Sequence, residues 1–334
     1  MPLLQIENLN VRIPLGTGVL HPVRDVSFSV GQGETLCIVG ESGCGKSLTS
    51  LAITNLLPKA AQRSAKQLTF DGVDLMALRQ AAMSDILGND MAVIFQEPMT
   101  SLNPVYTIGN QMEEAFLRHR KVPRARATER AVYLLEKVGI TAAGQRLRQY
   151  PHQLSGGLRQ RVMIALALMC GPKLIIADEP TTALDVTIQA EILHLLAGLK
   201  REFGMSMIFV THDLGVVARI ADRVAVMYAG QVVETGDAED IFVRPSHPYT
   251  RGLLGCIPIP GRTKPGAHLG SIPGIVPNLI GAMRGCSFRD RCGHAMAECE
   301  VTDVALAAVG PEHQVRCLLP RDGSMETLAV EEIA

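Results

Sequence analysis

Apolar positions alternate at the start of the chain. Leu4, Ile6, Leu9, Val11 and Ile13 recur at roughly every second residue. Val26, Phe28 and Val30 follow, with Ser27 and Ser29 between them. A period near two predicts half-buried strands. Gly31-Gln32-Gly33-Glu34 predicts a turn. Thr35-Leu36-Cys37-Ile38-Val39 is a continuous apolar run, the pattern of a strand buried on both faces. A glycine-rich loop and then a helix are predicted next, the helix running to Leu57, where Pro58 stops it. Residues from about 97 to 170 read as mainly helical, through Thr128–Val138 and Gly156–Met169. Strand patterns return at Lys173–Ala177, Met207–Val210 and Val224–Met227. Between the first two, Ile188, Ile192, Leu195, Leu196 and Leu199 fall at i, i+4, i+7, i+8 and i+11, which predicts a helix over Val186–Phe203. Strands alternating with helices imply an α/β fold with a largely parallel sheet covered on both faces. After about Ile257 the texture changes. Pro258, Pro260, Pro265, Pro273 and Pro277 mix with Gly261, Gly266, Gly270, Gly274 and Gly281, predicting a loop-rich extension and not more of the sheet.

Composition removes several function classes. The chain has 334 residues, 47% of them apolar and 19% charged, enough for one large cored domain plus an extension. Its formal net charge is −1, without the basic excess expected of a nucleic-acid binder. Trp is absent and aromatics are 4%, so platforms for stacking bases are scarce. The longest apolar run, Val162–Cys170, is about half of what a bilayer requires. Met1-Pro2-Leu3-Leu4-Gln5 does not have the charged start and apolar stretch of a signal peptide, so a cytoplasmic location is expected. There the eight cysteines are expected as thiols or metal ligands, not disulfides.

The chemistry begins at Gly40-Glu41-Ser42-Gly43-Cys44-Gly45-Lys46-Ser47, which matches G-x-x-x-x-G-K-[ST] between a predicted strand and a predicted helix. Glycines let the backbone wrap so that successive N–H groups face phosphate oxygens. The helix start adds its positive end. Lys46 is expected on the β- and γ-phosphates and Ser47 on Mg²⁺. A second element, Leu174-Ile175-Ile176-Ala177-Asp178-Glu179, is an apolar strand that ends in two carboxylates. Paired charge at such a place is costly unless a cation is near. Asp178 is expected to hold Mg²⁺, and Glu179 to orient and deprotonate the attacking water. A third element, Leu154-Ser155-Gly156-Gly157, opens a helix with Ser155 as N-cap and bare amides behind it, a second anion-binding helix start. It is either an ordinary capped helix or half of a site for a nucleotide held by another subunit.

With these residues in this order, the chain resembles the ATP-binding subunit of ABC transporters over about residues 3–258. Gly40–Ser47 corresponds to the Walker A loop, Gln96 to the Q-loop glutamine, Leu154–Gly157 to the signature, Leu174–Glu179 to Walker B, Ala183-Leu184-Asp185 to the D-loop and His212 to the switch histidine. The resemblance implies a P-loop NTPase (RecA-like) ABC nucleotide-binding domain over 1–258, with an antiparallel β subdomain and a helical subdomain at about 97–165. It also implies that Gln96 touches Mg²⁺ or water, that His212 contacts the γ-phosphate, and that two such subunits sandwich two ATP molecules head to tail. Ser155, Gly156, Gly157 and Asp185 would then face a nucleotide shared with the partner subunit. Two departures stand out. Leu158 replaces the glutamine common in signatures, and Ile13 occupies the position where an aromatic often stacks on adenine.

The phrases Phe95-Gln96-Glu97-Pro98-Met99-Thr100-Ser101-Leu102-Asn103-Pro104 and Ser246-His247-Pro248-Tyr249-Thr250-Arg251-Gly252-Leu253-Leu254 look like the dipeptide/oligopeptide importer subfamily. That likeness implies an ATPase powering import of peptides, or of another solute of the subfamily such as glutathione or nickel, at the cytoplasmic face of the inner membrane. It implies a heterodimer with a second, homologous ATPase subunit, two membrane permeases and an extracytoplasmic binding protein. A soluble ABC ATPase acting on nucleic acid or the ribosome is the alternative, and the chain has neither the tandem ATPase domains nor the coiled-coil insertions of that class.

In the extension at 259–334, Cys286, Cys292, Cys299 and Cys317 have the spacing C-x5-C-x6-C-x17-C. Structural zinc usually uses at least one close C-x2–4-C pair. The longer spacings suit the wider cage of a [4Fe–4S] cluster. Zinc and four reduced thiols remain the alternatives at this level. The extension of the peptide importers resembles this pattern, and some members bind such a cluster.

Overall fold

The structure is a computed structural model. It describes residues 2–182, 185–257 and 270–319. Two compact units divide the chain: residues 1–30, 35–76 and 211–334 form one, and residues 31–34 and 77–210 the other.

The first unit opens with an antiparallel sheet. Strand Leu4–Leu15 pairs with Gly18–Val30 on one side, and with Gln62–Ser64 and Gln67–Phe70 on the other; Gln67–Phe70 in turn pairs with Val73–Asp74. Leu4, Ile6, Leu9 and Val11 face the core and are fully buried, as the alternation predicts. The run Thr35–Val39 forms a strand with every residue buried. It lies parallel to Arg223–Tyr228, which pairs antiparallel with Gln231–Asp237.

The extension departs from the sequence reading. Gln314–Val315 pairs with Gln231–Asp237, and Ala307–Ala308 pairs with Gln314–Val315. The extension therefore adds two strands to a sheet it was expected not to join. At two residues each, these strands are too short for any alternation to show. Side chains hold them in place. His313 Nε2 lies 2.7 Å from Glu234 Oε1, and Arg316 donates to the carbonyls of Val232 and Val304. The Glu234 carboxylate is fully buried and also accepts the backbone N–H groups of Ser246 and His247, which is how a buried charge becomes tolerable.

In the second unit, strands Met91–Ile94, Leu174–Asp178 and Ser206–Thr211 lie parallel in that spatial order, with Leu174–Asp178 in the middle. Leu174, Ile175 and Ile176 are fully buried, and each such burial contributes about 2 kcal/mol. Helix Val186–Phe203 has the predicted bounds. Asp185 caps its start and Gly204 ends it in the left-handed conformation. Helices Ile108–His119, Arg124–Lys137 and Gly156–Ala167 make the helical segment. Glu113 on the first is nine-tenths buried and accepts from Arg124 and Thr128 of the second, at 2.6 Å each, pinning the pair.

Candidate functional site

The phosphate loop leaves the buried strand Thr35–Val39 and enters helix Lys46–Ile53. The helix ends four residues earlier than predicted. Asn55 takes a left-handed φ of 57°, which Asn tolerates, and so turns the chain before Pro58 is reached. Two glycines in the loop are obligatory. Gly40 has φ 155° and a Cβ there would meet Met227 O at 2.1 Å; Gly45 has φ 102° and a Cβ would meet Pro22 O at 2.1 Å. Lys46 is nine-tenths buried, and its Nζ donates to the carbonyl oxygens of Gly40 (2.7 Å) and Glu41 (3.1 Å). A buried ammonium curled over the loop it leaves is poised to meet phosphate oxygens instead. Cys44 is buried, and burial pushes its thiol above the usual range. It is a packing residue and not a nucleophile.

A residue outside every motif completes the loop. The Glu41 N–H donates to the hydroxyl of Tyr249 at 2.9 Å. Tyr249 is fully buried in helix Pro248–Gly255, whose start is capped by His247 Nδ1 accepting the Tyr249 N–H at 3.0 Å. The phrase Ser246–Leu254 thus acquires a physical purpose that its sequence alone did not disclose.

In the second unit the strand Leu174–Asp178 delivers its two carboxylates. Asp178 ends the strand nine-tenths buried. Glu179 adopts φ 44°, a left-handed backbone that costs a non-glycine residue on the order of 1–3 kcal/mol and is concentrated at functional sites. Its N–H donates to Val210 O at 3.0 Å, holding the turn. Gln96 Nε2 donates to Glu179 Oε2 at 3.2 Å, and Thr182 Oγ1 donates to the same oxygen at 2.8 Å. The structure therefore brings Gln96 and Glu179 together. Thr182 was not anticipated. Its signal was its place, three residues after a strand-end carboxylate.

At the signature, Ser155 caps helix Gly156–Ala167 by accepting the Leu158 N–H at 3.4 Å. Ser155 and Gly156 are exposed, and a Cβ on Gly156 would meet nothing. Gly157 packs closer, with Ile188 Cγ2 at 3.3 Å from a Cβ there. Asp185 is exposed and accepts the Ile188 N–H at 2.9 Å. Ala183 and Leu184 lie outside the described residues. His212 is exposed on the turn after Ser206–Thr211, just before Asp213, which caps the next helix start by accepting from Gly215 and Val216. Ile13 is half-buried opposite Leu20, and its neighbours Arg12 and His21 are hydrogen-bonded to each other.

The four clustered cysteines are described, and no disulfide joins them. Cys286 N donates to Cys299 O at 2.8 Å. Burial pushes the thiols of Cys286, Cys292 and Cys317 up, and negative charge on the other cysteines pushes each further. Among the described residues, no three His, Cys, Asp or Glu side chains are disposed to hold a single metal ion.

Comparison with known proteins agrees with this geometry. The family model described as ABC transporter matches residues 23–182, and the one described as oligopeptide/dipeptide transporter, C-terminal region, matches residues 233–299. The chain is 48% identical to the dipeptide transport ATP-binding protein DppD of Bacillus subtilis, over 95% of this chain and 94% of that protein. It is 46% identical to DppD of Escherichia coli K12, over 96% and 98%. It is 50% identical to a putative peptide import ATP-binding protein of Brucella abortus, over 95% and 97%. Among solved structures, a dimeric ATP-binding cassette in a post-hydrolysis state bound to ADP and Pi matches with a TM-score of 0.63 at 26% identity, covering 70% of this chain and 98% of that one.

Proposed function

The chain belongs to the ABC transporter ATP-binding family, and on that premise we propose that it is the ATP-hydrolysing subunit of a peptide importer. The observation that carries the reading is the Glu179 carboxylate. It follows a buried strand in a strained turn, where Gln96 and Thr182 both donate to its Oε2 and so fix the direction of a carboxylate suited to take a proton from water. Lys46 and the loop amides of Gly40–Ser47 bind the phosphates. Ser47, Asp178 and Gln96 supply the oxygen donors that suit Mg²⁺, and the nine-tenths burial of Asp178 at the end of an apolar strand fits a carboxylate that meets a cation there. The ion would stabilise charge on the transferring phosphoryl group. His212 contacts the γ-phosphate. Ser155, Gly156, Gly157 and Asp185 serve a nucleotide shared with a second, homologous ATPase subunit.

Such a subunit works beneath two membrane permeases and an extracytoplasmic binding protein, held peripherally at the cytoplasmic face of the inner membrane. Among the described residues no helix is long and apolar enough to cross a membrane, which fits that role. The named peptide transport proteins it matches along nearly all of its length support a peptide as the cargo. Glu179→Gln is expected to keep ATP binding, accumulate a closed dimer and lower turnover by at least a hundredfold. Undiminished turnover would refute Glu179 as the base.

The four cysteines are best read as [4Fe–4S] ligands. The backbone contact from Cys286 N to Cys299 O brings two of the four together and supports that reading. A bound cluster would cross-link an extension that has little core of its own. Purification without oxygen, followed by iron and zinc analysis, should give about four irons per chain. Zinc without iron would sink this assignment.

A further inference from the structure

A carboxylate in a phosphate-binding loop repels the ligand unless a cation is paired with it. Glu41 occupies the second position of the loop. Its carboxylate is met by Arg291 from the extension, 250 residues away in sequence. Nη1 donates to Oε2 at 2.6 Å and Nη2 to Oε1 at 3.0 Å, a two-pronged pair. The guanidinium is held from behind: Nε donates to Pro273 O at 2.9 Å and Nη2 also to Ile272 O at 3.0 Å. Its side chain is 4% exposed and lies over the rings of Tyr228 and Phe288. Packed this way, it cannot swing away to solvent. The pair leaves the Glu41 N–H to Tyr249, so both ends of this loop residue are fixed by groups outside the loop.

We propose that Arg291 is a positioning residue of the nucleotide site that acts through Glu41: it pairs with and neutralises a carboxylate that would otherwise repel phosphate, so that the extension sets the affinity for nucleotide. This rests on the reading of Gly40–Ser47 as an ATP site. A guanidinium is required and not merely a cation, since only the planar fork reaches both carboxylate oxygens while its remaining donors stay on the two carbonyls.

The test is nucleotide affinity of the purified full-length chain, measured with a fluorescent ATP analogue, together with KM and kcat of the assembled transporter. Arg291→Gln should weaken nucleotide binding and raise KM by about tenfold, with kcat changed less than threefold. Arg291→Lys should recover part of the loss. The decisive variant is the double change Glu41→Gln with Arg291→Gln, which should return affinity to within about threefold of wild type, because the repelling charge is gone. Unchanged affinity in Arg291→Gln overturns the proposal, as does a double variant as weak as the single one, which would make the role purely architectural. Should Arg291→Gln fail to fold, Glu41→Gln alone decides. Affinity equal to or tighter than wild type supports the proposal, since Arg291 then faces the loop uncompensated, and a tenfold weakening overturns it. A wild-type chain that binds no nucleotide would instead overturn the reading of the loop itself.

Discussion

The chain carries two helix starts suited to anions, and they are built in opposite ways. At Gly45–Lys46 the start is buried and elaborated. Two glycines sit where no side chain fits, Lys46 is folded onto loop carbonyls, and Glu41 is fixed from both ends by Tyr249 and Arg291. At Ser155–Gly156 the start is plain and open. One serine caps it, and a Cβ on Gly156 would touch nothing. The first start is completed by its own chain. The second stands open, with Ser155 and Gly156 both exposed. The lesson is that two helix starts of the same chemistry can differ in everything around them, one buried and fixed by distant partners, the other open to solvent.

The largest effect should come from breaking the first start. Gly45→Ala places a Cβ 2.1 Å from Pro22 O at a φ of 102°, so the loop must open or the strand Gly18–Val30 must move. Complete loss of nucleotide binding is expected, with a destabilisation on the order of 3 kcal/mol or more, read by nucleotide titration and urea unfolding. Retained nucleotide affinity would mean that the loop is not over-determined. The second start should behave in reverse. Gly156→Asp has room, so unfolding should shift by less than about 0.5 kcal/mol and nucleotide binding by the isolated chain should not change. In the assembled transporter the added carboxylate would oppose the partner's nucleotide, and turnover should fall on the order of a thousandfold. Loss of binding in the isolated chain would break the comparison, because the two starts would then act on one nucleotide.

Much of this was legible in the residues. Helix Val186–Phe203 keeps its predicted bounds because its apolar spacing is sustained over about three turns and both ends carry caps. The phosphate loop, the strand-end carboxylates and the capped glycines announced themselves because local geometry demands particular residue types at fixed spacing. Whatever depends on distant partners stayed hidden. Tyr249 and Arg291 meet Glu41 across 208 and 250 residues, and neither residue type in isolation suggests a phosphate loop. The short strands Ala307–Ala308 and Gln314–Val315 exist because the open edge of Gln231–Asp237 pairs with them, not because of a pattern of their own. Gln96 and Thr182 could be placed near Glu179 only once the sheet had aligned Met91–Ile94 beside Leu174–Asp178.

A third helix start sharpens the comparison with a smaller effect. Helix Pro248–Gly255, which carries Tyr249 to the loop, is capped by His247, and this cap titrates. Burial pushes the imidazole down to about 4, against the partial opposing pull of the Glu234 carboxylate and the Arg316 backbone. The neutral ring is therefore the folded form, with Nδ1 accepting from Tyr249. The unfolded chain takes up a proton near 6.5 and the folded chain only near 4. The unfolded state consequently binds more protons across that interval. Stability from this residue is complete above about pH 6.5 and is lost as pH falls toward 4, by at most about 3 kcal/mol. Asn at 247 keeps a cap acceptor and cannot titrate. Urea unfolding between pH 7.5 and 4.5 should thus show a shallower acid decline for His247→Asn than for wild type, whatever the offset at neutral pH. The surrounding Glu234, His313 and Arg316 are common to both proteins, so the comparison isolates residue 247. Equal slopes would rule out His247 as a source of acid sensitivity. An exposed cap offers the control: Ser155→Ala should move stability by about 1 kcal/mol at every pH, because a serine hydroxyl that does not titrate has nothing to lose as acid is added.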